Sequence, residues 1–198
     1  MQEMNNKRKK AEGISMRQIL VGQALLVMCC VFYLIWWYRG FRPGVIVNRV
    51  GGVNGLLLLI TAALGLTGLW LSLKPGSIEG RWKVEPIWII GVGIAEYFVL
   101  LLITRFVFDR IVTLELILII GWTMLEVVVI NRLNAAGMLT DGRFLFMCFV
   151  IAAAFLISMI LYVAYYKMEE MSSAFYAAMI PLITEGTVMA VLIGAVII

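Results

Sequence analysis

The sequence predicts an all-α fold, a polytopic transmembrane helix bundle of six helices with both termini cytoplasmic. Three observations carry this. Of 198 residues, 63% are hydrophobic and 14% charged, where a soluble domain has about 45–50% apolar and about 25% charged residues. Six apolar runs each approach the roughly 20 residues that a spanning helix needs. Charges, glycines and prolines gather between the runs, and no connection is long enough to hold a second domain. Residues 1–17 read as a cytoplasmic basic segment and 18–198 as a single six-helix transmembrane domain.

The first helix is expected over about Ile19–Tyr38. The run Lys7, Arg8, Lys9 and Lys10 precedes it, as a topology signal that also touches anionic headgroups. Nucleic acid is excluded as a partner, because no soluble face offers basic residues interleaved with aromatics. The apolar stretch exceeds a signal-peptide core, and no small-x-small cleavage site follows it, so it reads as an uncleaved span. Cys29, Cys30 and Cys148 lie within apolar segments without CxxC spacing, which reads as reduced, inert cysteine. The second helix is expected over about Val53–Leu73. Its Asn54, Gly55, Thr61, Ala62, Gly65, Thr67 and Gly68 suit close helix approach.

The third and fourth helices are expected over about Ile87–Thr104 and Ile111–Ile130. The short link Arg105-Phe-Val-Phe-Asp109-Arg110 makes them a tight hairpin, in which Arg105 and Asp109 stand four apart and are placed to pair. The fifth is expected over about Phe144–Tyr166 and the sixth over about Ala174–Ile198. With the N-terminus inside, ten Lys and Arg fall on the cytoplasmic side and six outside, the direction of the positive-inside rule. Trp36, Trp37, Tyr38, Trp70, Trp82, Trp88, Tyr162, Tyr165 and Tyr166 sit near span ends, as an interfacial aromatic belt does. The expected location is multi-pass in a cell membrane, of the bacterial plasma-membrane type.

Four glutamates lie inside these runs: Glu96, Glu115, Glu126 and Glu185. A carboxylate in hydrocarbon costs about 2.5–3.5 kcal/mol on insertion scales, so each is a candidate functional residue. Glu96 and Glu185 fall near the middle of their expected spans. Glu115 and Glu126 fall about five residues from opposite ends of the fourth helix, within reach of the headgroups. They share one face at about 16 Å separation. No lysine or arginine lies deep in any run, and burial without a cation favours the neutral acid. Glu96 and Glu185 are therefore expected to face each other as a protonatable or cation-binding pair, or else to hydrogen-bond helices together.

Pro181 precedes Glu185 by four residues, with Thr184 and Thr187 beside it. Proline removes a backbone donor and should bend the helix, freeing carbonyls near Ala177. The substrate or ion pathway is thus placed on Glu96, Glu185, Pro181, Thr184, Glu126 and Glu115. No metal site and no cofactor is expected. The chain has no histidine, and GxSxG, GxxxxGK[ST] and aspartate clusters are absent, so no enzyme signature is present.

A shift of 89 residues lays Ile94-Ala95-Glu96 on Ile183-Thr184-Glu185 and Val99 on Val188. Two three-helix halves of opposite topology would follow, as in many transporters. In size and helix count the chain resembles the small vitamin-binding subunits of energy-coupling transporters; no motif carries the likeness and no residue role follows from it. The function expected is that of a small transporter or transporter subunit handling a small polar, cationic or proton-coupled substrate. The alternative is a non-transporting assembly, regulatory or lipid-organising component that forms a homo-oligomer or pairs with a partner membrane subunit.

Overall fold

The computed structural model describes residues 2–44, 51–73, 86–107, 114–165 and 167–197, with side chains described from residue 17 onward apart from 86–90, 104, 107, 114–115 and 171. The side chains of Lys7, Arg8, Lys9 and Lys10, those of Trp82 and Trp88, the Arg105–Asp109 pairing and the side chain of Glu115 lie outside the described residues.

Six helices form in the expected order: α1 (Gln2–Phe41), α2 (Gly52–Leu73), α3 (Pro86–Val107), α4 (Leu114–Ala135), α5 (Asp141–Tyr165) and α6 (Met171–Ile197). Five are long and apolar enough to cross a membrane, and α3 contributes a shorter described apolar stretch, Gly91–Ile103. The chain is a multi-pass helical membrane protein.

Two boundaries differ from expectation. α1 runs back through the basic segment to Gln2, where Lys, Arg, Glu, Met and Ala are good helix formers. Its 40 residues span about 60 Å, twice the hydrocarbon thickness. α4 ends at Ala135 rather than near Ile130. Asn131, Arg132 and Asn134 read as a loop in the sequence but stay helical until Gly137 takes φ +73°. There Gly137 N–H donates to the Asn134 carbonyl at 2.9 Å and Met138 N–H to the Leu133 carbonyl at 2.9 Å, the paired bonds of a glycine-terminated helix.

α1 packs antiparallel on α2 through small residues. A Cβ on Gly22 would stand 2.5 Å from Ser72 Oγ and 2.8 Å from the Gly68 carbonyl, so only glycine admits this approach. Cys29 Sγ donates to the Thr61 carbonyl at 3.3 Å, and Arg39 Nε donates to Asn54 Oδ1 at 3.2 Å. α1 also packs on α6, α5 lies between α4 and α6, and α3 rests on α4. α4 is the central helix: 56% of its apolar window is buried, against 17% for α1 and for α2.

Two arginines cap neighbouring helices at one end of the bundle. Arg132 Nη1 donates to the Leu73 carbonyl at 3.2 Å, and Arg143 Nη1 to the Ala195 carbonyl at 3.0 Å. Each places a cation on the negative end of a helix dipole. That end is filled by a continuous core including Ile19, Val129, Leu133, Phe144, Met189 and Leu192.

The internal duplication is not matched by the packing. α5 lies against α6, whereas the corresponding α2 and α3 make no comparable contact among the described residues.

Candidate functional site

Along α1, positions 19, 23, 26, 30, 33 and 37 recur at alternating steps of four and three, so they share one face. That face turns to α4 and α6. It presents Ile19, Gln23, Leu26, Cys30, Tyr33 and Trp37, of which Ile19, Leu26 and Cys30 join the core. Gln23 is fully buried. It stands beside the carboxyl of Glu126, which is also fully buried. Among the described residues neither the Gln23 amide atoms nor the Glu126 oxygens complete a hydrogen bond of normal geometry.

Glu126 in turn lies within electrostatic range of Glu185 on α6, and both acids lie within that range of Cys30 on α1. Gly186 packs on the same cysteine: a Cβ there would sit 3.4 Å from Cys30 Cβ. No lysine or arginine among the described residues contributes to the surroundings of Glu126 or Glu185. Three helices thus bring an amide and two carboxyl groups together in the interior. Polar groups so buried usually have partners, and each orphan calls for a water, an ion or a ligand.

Glu185 forms the inner wall of a cavity of about 90 Å³ lined by Tyr33, Trp37, Leu118, Ile119, Leu161, Tyr162, Tyr165, Ala177, Ala178, Pro181 and Leu182. One water needs about 10–15 Å³ by this measure, so several waters or one small molecule fit. The lining comes from the C-terminal parts of α1 and α5 and the N-terminal parts of α4 and α6. The cavity therefore occupies the end of the bundle opposite Arg132 and Arg143. From Ala177 to Glu185 it follows α6 for about 12 Å.

Trp37 is held in place by stacking on Phe41 (centroids 4.3 Å apart) and Phe175 (6.4 Å). Its Nε1 is buried and finds no acceptor among the described residues. Pro181 lies inside α6, which continues on both sides of it. Having no N–H, it leaves the Ala177 carbonyl without its helical donor, and Ala177 and Pro181 both line the cavity. From Gln23 to Trp37 the polar groups extend about 21 Å along α1, some two-thirds of a hydrocarbon core of about 30 Å.

The expected pairing of Glu96 with Glu185 is not what the structure shows. The acid within electrostatic range of Glu185 is Glu126. Glu96 lies half-buried on α3, the helix that rests on α4. Glu126 was expected near the headgroups, but the longer α4 makes it the thirteenth of 22 residues and brings it to mid-bundle. Thr184 was expected to face the site. Its hydroxyl donates instead to the Ile180 carbonyl at 2.8 Å, and Thr187 does the same to Ile183 at 2.7 Å. Trp37, Tyr162 and Tyr165, read as belt residues, line the cavity. Gln23 was missed. An amide flanked by apolar residues, on the face that also carries Cys30 and Tyr33, was the available signal.

Fold and site together define a multi-pass helical membrane protein with an acidic interior. Comparison with family models, curated proteins and solved structures finds no match for the chain.

Proposed function

We propose that the chain is a small integral membrane transport protein, alone or as one subunit of a larger transporter, that carries a small polar or cationic solute coupled to protons. The observation that supports this is that Glu126 and Glu185 lie within electrostatic range of each other in the bundle interior, with Glu185 lining a cavity. Ionisable groups held inside a membrane bundle are expensive and usually mark a pathway. The orphaned Gln23 amide extends the polar column beyond the acids. On the far side Ile19, Val129, Leu133 and Leu192, each 0% exposed, close it. This arrangement suits a carrier accessible from one side and sealed on the other, rather than an enzyme.

If α3 crosses the membrane with the five long apolar helices, six spans return both termini to one side. The basic run makes that side cytoplasmic in this reading, and the cavity end then faces outward in a cell membrane.

The test is proton movement in liposomes holding the purified protein and an internal pH dye. A solute gradient should drive a pH change, and Glu185→Gln should abolish it while leaving the helical content intact. An unchanged rate in that variant would sink the transport reading.

One observation favours a second role for α3. Its described side chains are largely exposed, with Phe98 at 56% and Phe106 at 80%, and Glu96 lies half-buried among them. A mid-helix carboxyl on an outlying helix suits contact with a second copy or a partner membrane chain carrying Lys or Arg. Cross-linking from α3 in membranes tests it; capture of neither a second copy nor another chain would remove this role.

A further inference from the structure

We propose that the cavity above Glu185 binds a small organic ammonium compound, with its positive nitrogen against the Glu185 carboxyl and its apolar body among Tyr33, Tyr162 and Tyr165. This deepens the transport reading and rests on it. Three features of the site select that chemistry.

The first is charge. Glu185 is 4% exposed and Glu126 fully buried, and no described cation accompanies either carboxyl. A carboxylate here needs a positive partner brought from outside, because an unpaired charge in an apolar interior is strongly unfavourable. The site is therefore built to accept a cation and to reject an anion.

The second is the lining. Around the acid are tyrosines, a tryptophan and aliphatic side chains. Such walls favour a weakly hydrated organic cation, which gains from aromatic contact, over a metal ion, which demands several oxygen ligands. Among the described residues no group of three or more Cys, Asp or Glu is placed to hold a metal.

The third is the Trp37 Nε1 donor. It is buried, belongs to a residue of the same lining, and has no acceptor among the described residues. A ligand that carries an oxygen a few bonds from its ammonium would satisfy Glu185 and Trp37 together. An oxygen-free ammonium would satisfy Glu185 alone.

The experiment uses the purified full chain in detergent, with tetramethylammonium chloride, choline chloride and, as the control, sodium chloride at equal concentration. Thermal unfolding and calorimetric titration supply the readouts. Both ammonium salts should raise Tm beyond sodium chloride, and choline should bind more tightly than tetramethylammonium. Glu185→Gln should weaken both by roughly thirtyfold or more. Should that variant unfold, Glu185→Asp keeps the charge and should bind with reduced affinity. Trp37→Phe should erase the choline preference.

Equal shifts from all three salts, or ammonium binding unchanged in Glu185→Gln, would overturn the assignment. A choline preference that survives Trp37→Phe would overturn the role of the indole. Absence of ammonium binding alongside a Glu185-dependent proton flux in liposomes would reject the ligand class alone. Absence of both would reject the transport reading with it.

Discussion

α3 and α6 carry nearly the same local sequence around a mid-helix acid, Ile94-Ala95-Glu96 and Ile183-Thr184-Glu185. Their environments are opposite. α6 packs between α1 and α5 and also touches α4, while α3 rests on α4. Glu185 is 4% exposed beside a second carboxyl and a cavity; Glu96 is half-buried. Depth along a helix is a property of the sequence. The direction an acid faces is a property of the neighbours, and only the second makes a site.

The sharpest way to break this contrast structurally is to attack the packing that holds each helix pair. Gly22→Leu drives a side chain into the Ser72 amide and the Gly68 carbonyl, both fixed backbone atoms. α1 then separates from α2 and the bundle loses about 3 kcal/mol or more, read as a large fall in Tm. Gly93→Ala on α3 meets the flexible end of Met124, which rotates away, and stability falls by about 1 kcal/mol or less.

Glu126→Leu sharpens the comparison at the site. It removes a buried carboxyl that completes no hydrogen bond of normal geometry among the described residues, so thermal stability should stay level or rise, by up to about 3 kcal/mol. Transport should be lost at the same time. Glu96→Leu should change stability by less than about 1 kcal/mol, since its side chain is half-buried, and should leave transport intact. Stability rising as activity falls is the mark of a group retained for function. A fall in stability for Glu126→Leu would make that acid a structural one.

Smaller effects belong to the bundle ends. Arg143→Ala removes the cation from the Ala195 carbonyl and should lower stability by about 0.5–1 kcal/mol, less in high salt. At the start of α6, the Ser172 and Ser173 hydroxyls donate to the Glu170 carboxylate and hold its pKa below the ordinary carboxylate value. A lowered folded-state value stabilises above the ordinary value and fades as pH falls through the lowered one. Ser173→Ala should therefore slightly reduce stability near neutral pH and have no effect below both values. An equal effect at all pH would assign Ser173 a packing role instead.

The fold class was legible because apolar length and charge placement are one-dimensional signals. Helix order and most span limits follow from them. The end of α4 was not legible. Asn131, Arg132 and Asn134 look like a loop until Arg132 is seen bonding the end of α2 and Gly137 closing the helix. That shift concealed how deep Glu126 lies. The site was half legible: Glu185, Glu126 and Pro181 were singled out, but their grouping depends on which faces of α1, α4 and α6 meet. Tyr162 and Tyr165 looked interfacial because position near a span end is visible in the sequence, whereas the inward turn of a ring is not.

In the transport reading the interior acid on α6, and not its counterpart on α3, carries the function. This is tested by measuring solute-driven proton flux in liposomes for Glu185→Gln and Glu96→Gln side by side, with reconstitution levels matched. An amide keeps the shape and hydrogen-bonding reach of the acid but cannot ionise. Flux should be lost in Glu185→Gln and stay within about twofold of wild type in Glu96→Gln. Loss in Glu96→Gln with flux retained in Glu185→Gln would contradict that reading.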